Sequence, residues 1–152
     1  MTDFSISRSI TIAAPASEVF AHLQDLHRWE AWSPWQELDP NMTQTYSGAD
    51  AGVGAVMQWE GDKNAGAGRM TVVTADPELV EIDIAFIKPF KTTNRSHFAL
   101  SETDNNTTVT WTMTGKQNLL MKVMFKVMKM EKSIGADFER GLSRLKTVVE
   151  AA

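Results

Sequence analysis

Few side chains in this chain are of a type and spacing that could do chemistry, and the densest group is the run Asn94-Arg95-Ser96-His97-Phe98. In an extended segment successive side chains point to opposite faces. If Phe98 and Leu100 face a dry interior, Asn94 and Ser96 face it too. Polar groups on a dry wall need partners, so these two are candidate ligand contacts; the other readings are hydrogen bonds near the sheet edge or to water. Arg95 and His97 then point outward, where His97 can meet a carboxylate such as Asp83 in an ordinary surface pair. A one-residue slip in register would swing Arg95 and His97 inward and make them an acid/base pair. Glu60, beside Trp59 at a strand end, reads as a surface ion-pairing group. No residue is assigned a catalytic role.

Other chemistries are excluded more firmly. His22 and His27 stand five apart, whereas a helix stacks residues four apart. With no cysteine and no histidine–carboxylate cluster, neither a metal site nor a cofactor is expected. No Gly-x-Ser-x-Gly occurs, so there is no serine elbow. Gly52-x-Gly54 and Gly66-x-Gly68 lie among strands rather than opening helices, which argues against nucleotide binding. A net charge of −4 without a basic run argues against a nucleic-acid partner. No stretch reaches the roughly 18 apolar residues that a transmembrane helix needs. The start, Met1-Thr2-Asp3, lacks the basic residues and apolar run of a secretory signal. With no cysteine for disulfides, the expected location is cytoplasmic.

The elements that must position these residues follow from periodicity. Phe4 to Ile12 alternates as a half-buried strand, and Pro15 suits the first turn of a helix carrying Val19, Phe20 and Leu23. Asp25 to Trp35 reads as a second short helix, rich in tryptophan and stopped by Pro34. Period two then governs Met42–Ser47, Ala55–Gly61, Gly68–Ala75, Leu79–Ile87, Lys91–Glu102 and Thr107–Gly115, with Gly, Pro, Asn and Asp in the breaks. Short links between consecutive strands predict an antiparallel meander with one dry face. After Gly115, Ile134, Phe138, Leu142, Leu145 and Val149 form one apolar stripe of a long helix. Gly135 and Gly141 lie on or beside that stripe and mark either a close helix–sheet approach or room left for a ligand.

One amphipathic helix about 10 Å wide cannot by itself fill the concavity of a bent seven-stranded sheet. Large side chains fill the remainder, or a cavity remains. That shortfall is the physical basis for expecting an apolar pocket.

Several local motifs add a family resemblance. They are Ile12-x-Ala14-Pro15-x-x-x-Val19-Phe20, Trp32-Ser33-Pro34-Trp35, Gly54-x-x-x-x-Trp59-Glu60-Gly61, Lys88-Pro89-Phe90, Thr110-Trp111-x-Met113 and Gly135-x-Asp137-Phe138-Glu139-x-Gly141-Leu142. Together with the order of elements, they make the chain resemble the START-like (SRPBCC) superfamily, and within it the small bacterial polyketide cyclase/dehydrase-like group. The resemblance implies one α+β domain over residues 1–152 with the helix-grip fold shared by START and birch-pollen-allergen-like proteins. In that fold a curved seven-stranded antiparallel sheet surrounds a long C-terminal helix, with two short helices after the first strand. Function is implied only loosely, because one such pocket serves many activities.

The inward strand positions predict a wall of Met57, Trp59, Met70, Val72, Ile82, Ile84, Phe86, Asn94, Ser96, Phe98, Leu100, Trp111 and Met113, faced by Ile134, Phe138, Leu142 and Leu145 of the helix. Each residue serves either a solid core or a pocket. Trp29, Trp32 and Trp35, three apart, form an aromatic plug, a pocket rim or a partner surface. Leu119 to Met130 is apolar apart from a stripe of Lys122, Lys126 and Lys129, and its Met124 and Met128 join the expected ligand contacts. It reads as a lid, with a dimer contact and membrane-surface docking as alternatives. The expected partner is therefore a small hydrophobic molecule (lipid, aromatic or polyketide-like), bound by a monomer or homodimer. A cyclase, dehydratase or aromatase acting in the same pocket is the enzymatic alternative, and a ligand-free protein-interaction module is the third.

Overall fold

The computed structural model describes residues 2–36, 39, 41–62, 65–88, 91–117, 126 and 129–151. Seven strands, β1 (Thr2–Ile12), β2 (Thr43–Gly48), β3 (Ala55–Glu60), β4 (Ala67–Asp76), β5 (Leu79–Lys88), β6 (Thr92–Thr103) and β7 (Asn106–Gln117), form one sheet. Its order is β1-β7-β6-β5-β4-β3-β2, with every neighbour antiparallel. Helix α1 (Ala16–Gln24) follows β1, and α2 (Met130–Ala151) packs across the sheet's dry face. This is the helix-grip architecture that the sequence predicts.

Local chemistry explains the shape. Register shifts at Ala67/Gly68 and Val72/Thr74 leave Ile87 of β5 and Val73 of β4 without a direct partner, irregularities of the kind that bend a strand. Asp104 and Asn105, both at positive φ (53° and 64°), make the two-residue turn that returns β6 into β7. Pro15 stands just before α1 rather than inside it, with ψ at 155°. The N–H of Ala16, one of those a helix start leaves unpaired, donates to Glu102 Oε1 at 2.6 Å.

The second helix is much shorter than the expected Asp25–Trp35: only Arg28–Ala31 is helical, as a single 3₁₀ turn. Three residues per turn suit tryptophans spaced by three. The carbonyls left over at the end of α1 find donors in this segment and beyond it. Trp29 Nε1 donates to Leu23 O (2.9 Å), Trp32 Nε1 to His22 O (3.4 Å), and the Gly52 N–H to Gln24 O (3.1 Å). Tertiary hydrogen bonds thus replace the helical ones.

On α2, Phe138, Leu142, Leu145 and Val149 are buried and Ile134 is half-buried. A side chain at Gly141 would press on Pro34 Cδ at 2.8 Å and Trp111 Cζ3 at 3.3 Å, and one at Gly135 would collide with the Arg8 guanidinium. Both glycines therefore permit close approach. The space beside them is filled rather than left for a guest.

Candidate ligand-binding site

Cross-strand register turns the alternation of single strands into rows. One row crosses the whole inner face, each residue paired directly with the next: Phe4, Gly115, Asn94, Ile84, Met70, Met57 and Tyr46. To one side lie Ile6, Met113, Ser96, Ile82 and Val72, and beyond them Arg8, Trp111, Phe98 and Val80. To the other side lie Gln44, Trp59, Gly68 and Phe86.

The two ends of this face differ. Around Trp111 it is solid. Phe138 of α2 stacks on Trp111 at 4.0 Å between ring centroids, and Phe98 stacks on its sheet side at 4.9 Å. Trp29 and Trp32 meet both rings edge-on. Trp35 approaches Trp111 edge-on at 5.5 Å while its Nε1 donates to Asp137 Oδ2 at 3.2 Å. The tryptophan segment plugs this end of the sheet. Phe98, Trp111, Phe138 and Leu142, all expected on the pocket wall, sit in this packed half.

At the other end the large inward side chains Phe4, Trp59, Phe86 and Ile134 are only half-buried. Trp59 lies across Gly68, where any side chain would collide with its ring, and meets Phe86 edge-on at 5.7 Å. Its Nε1 donates to Ala65 O at 2.9 Å. Gly115 likewise leaves room for Asn94 Oδ1 and the Phe4 ring to lie over β7. Met57, Met70, Ile84 and Met113 are buried behind these residues, with Val72 and Ile82 deeper. Met124 and Met128 lie outside the described residues.

Ser96 is buried and Asn94 half-buried on the same face, as the alternation predicts. Among the described residues, Ser96 Oγ and Trp111 Nε1 are buried with no hydrogen-bond partner. The described inward residues of β3 to β7 from Met57 to Gly115, in the rows above, include no ionisable side chain.

Tyr46 closes the central row. Its hydroxyl donates to the Glu30 carboxylate, and its ring stacks on His27 at 4.0 Å. Burial, and then the bond to Glu30, push the phenol well above its ordinary pKa and keep it neutral. The sequence reading gave Tyr46, Phe4 and Gly115 no part in the site. Phe4 shares the parity of Ile6, and Gly115 that of Trp111 and Met113, which were usable signals, whereas Tyr46 enters only through pairing across strands.

On the outer face, Arg95 and not His97 takes Asp83, through Nε (2.6 Å) and Nη2 (3.2 Å). His97 Nδ1 lies 2.6 Å from Glu81 Oε2 instead. The register pairs Asp83 with Arg95 and Glu81 with His97, so each basic group meets the carboxylate directly opposite. Arg95 and His97 are thus outward, and the slipped register is not adopted. His22 is buried with Nδ1 on Glu18 O at 2.8 Å, remote in role from His27. Among the described residues no group of three His, Asp or Glu is placed to hold a metal, and no helix is long and apolar enough to cross a membrane. A shallow depression of about 400 Å³, lined by Glu30, Ala31, Ser33, Gln36 and Arg144, lies outside the inner face.

Comparison with known proteins places this geometry. CV1439 from Chromobacterium violaceum is 14% identical, with a TM-score of 0.68 over 96% of this chain and 97% of that one. DynU16, a protein of the dynemicin biosynthetic locus, is 16% identical, with a TM-score of 0.64 over 96% of this chain and 47% of that one. Ara h 8.0201 is 14% identical, with a TM-score of 0.60 over 99% of this chain and 100% of that one. At such identities the likeness is one of fold. A search of curated proteins finds no match. The model of one family matches residues 3–150, nearly the whole chain, and the protein therefore belongs to that family, described as polyketide cyclase / dehydrase and lipid transport.

Proposed function

We propose that the protein binds a small hydrophobic molecule (lipid, aromatic or polyketide-like) against the open half of its inner face, between the sheet and the start of α2. One observation carries this reading. Phe4, Trp59, Phe86 and Ile134 point inward yet remain half-buried, while the opposite end of the same face is closed by stacked aromatic rings. Apolar area still reached by water gains roughly 25 cal/mol per Å² when a guest covers it. The proposed contacts are Met57, Trp59, Met70, Phe86, Asn94 and Ile134, flexible or aromatic side chains of the kind that line such sites, with a polar group placed among them.

Mass spectrometry of the denatured, freshly purified protein should reveal a co-purifying apolar molecule. An apolar fluorescent probe should bind saturably in the micromolar range and quench tryptophan emission, less so in Trp59→Phe. Absence of both results would overturn the proposal.

A cyclase- or dehydratase-type reaction in the same place is the second reading, supported by Asn94 and Ser96 inside an apolar wall. Carriage is favoured because the wall between β3 and β7 offers no side chain able to exchange a proton near neutral pH. Turnover of aryl β-ketone substrates that drops in Asn94→Ala and Ser96→Ala would reverse that preference.

A further inference from the structure

Unpaired positive charge is gathered at one end of this acidic protein, whose net charge is −4. Among the described residues Lys88, Lys91, Lys126, Lys129 and Lys132 are all exposed, and none forms an ion pair. Elsewhere Arg8, Arg28, Arg95, Arg140 and Lys146 each meet a carboxylate. The free lysines share one end of the fold. Lys88 closes β5 two residues beyond Phe86, and Lys91 precedes Thr92, the partner of Phe86. Lys126 and Lys129 precede α2, and Lys132 lies in its first turn, ahead of Ile134. Phe86 and Ile134 are half-buried residues of the open end, so the lysines stand at the rim of the inner face. The acids at this end are Glu131, Asp3 opposite Lys116 in the register, and Asp39, Glu60 and Asp62 by the β3–β4 turn.

Two features narrow what this rim can meet. All five groups are lysines, compact point charges without the planar fork by which arginine grips one carboxylate in a fixed geometry. They suit a diffuse field of phosphates better than a defined acidic peptide. Ile87, between Phe86 and Lys88, is 50% exposed, and the register shift leaves it without a partner on β4. An apolar side chain among lysines matches the boundary between head groups and acyl chains. The start of α2 adds the positive end of its dipole, a place where Lys129 and Lys132 do not favour the helix itself. We infer that the rim formed by Lys88, Lys91, Lys126, Lys129 and Lys132, with Ile87, docks on an anionic lipid surface. Docking this way turns the open end of the inner face toward the bilayer. The acidic remainder of the molecule faces away from it. This goes beyond the binding function proposed above and does not depend on it.

The test is co-sedimentation of the whole protein with vesicles of equal parts phosphatidylcholine and phosphatidylglycerol, against vesicles of phosphatidylcholine alone. Binding is expected to the anionic vesicles only, and to vanish at about 1 M salt, where the screening length is about 3 Å. Each lysine lost near the surface should lower partitioning about fivefold, so Lys88→Gln/Lys91→Gln and Lys129→Gln/Lys132→Gln should each lower it about 25-fold. Ile87→Gln should lower it several-fold without changing its salt dependence. Arg28→Gln/Arg95→Gln removes the same charge away from the rim and should leave binding unchanged. No binding to anionic vesicles overturns the docking surface, as capture by an acidic protein without vesicle binding would. Equal losses in the arginine and lysine variants overturn it too. Uptake of the apolar probe without vesicle binding defeats this inference and leaves the carrier function standing. Vesicle binding that the lysine variants weaken, without probe uptake, does the reverse.

Discussion

Trp111 of β7 and Phe138 of α2 lie face to face, their ring planes 6° from parallel and their centroids 4.0 Å apart. Both side chains are fully buried, and the contact seats the helix on the sheet at the closed end of the inner face. Phe138→Ala should lower unfolding free energy by about 3–5 kcal/mol, the usual cost of emptying a buried phenylalanine site. Phe138→Leu should cost markedly less. Urea unfolding followed by tryptophan fluorescence reads both, and a loss under about 1 kcal/mol for the alanine would show that the helix is not held here.

The two helix glycines should respond in opposite ways to alanine. At Gly141 the new methyl meets Pro34 and Trp111, rigid groups that cannot yield, so a loss of about 1–3 kcal/mol is expected. At Gly135 it meets only the end of the Arg8 side chain, whose exposed pair with Glu139 (3.4 Å) contributes little. The gain in helix propensity, up to about 1 kcal/mol, should then dominate. Thermal unfolding of the two variants checks the contrast, and equal shifts would contradict it.

Tyr46 is the only tyrosine in the chain, so tyrosinate absorbance reports it alone. Burial, followed by the bond to Glu30, raises its folded pKa above the unfolded value of about 10. The folded state therefore holds this proton more tightly. The resulting stabilisation is complete below the unfolded pKa and is lost as pH rises from about 10 through the folded value. Glu30→Gln should bring the titration down toward its ordinary position. An unchanged midpoint would mean that the contact does not hold the phenol's proton.

On the outer face, Arg95→Ala should change stability by no more than about 1 kcal/mol, as for other exposed pairs, and His97→Ala, whose pair with Glu81 is half-buried, by somewhat more. Both should leave probe binding untouched. Their neighbours Ser96 and Asn94 point the other way, so a binding defect in His97→Ala would mean that β6 is read in the wrong register.

Much of this was legible in the sequence because side-chain direction is local. Val80, Ile82 and Ile84 alternate with Glu81 and Asp83, and in the fold the first three are buried and the two acids face outward. The partner of His97 was misread for a different reason. Choosing between Asp83 and Glu81 requires the offset of β6 against β5, which neither strand encodes alone. The same applies to Tyr46, which joins the central row only when seven strands are laid side by side.

By itself, the sequence determined the order of elements, the dry and wet faces of each strand and the apolar stripe of α2, because periods of 2 and 3.6 are properties of the backbone at each position. Only the tertiary structure decided how the space beside a single helix is filled. Trp29 and Trp32 tie themselves to the end of α1 and, with Trp35, close over Trp111 at one end of the sheet, leaving the other end to half-buried side chains. The ring contacts with Trp111 join residues tens of positions apart, and packing between distant segments has no periodicity by which a linear chain could announce it.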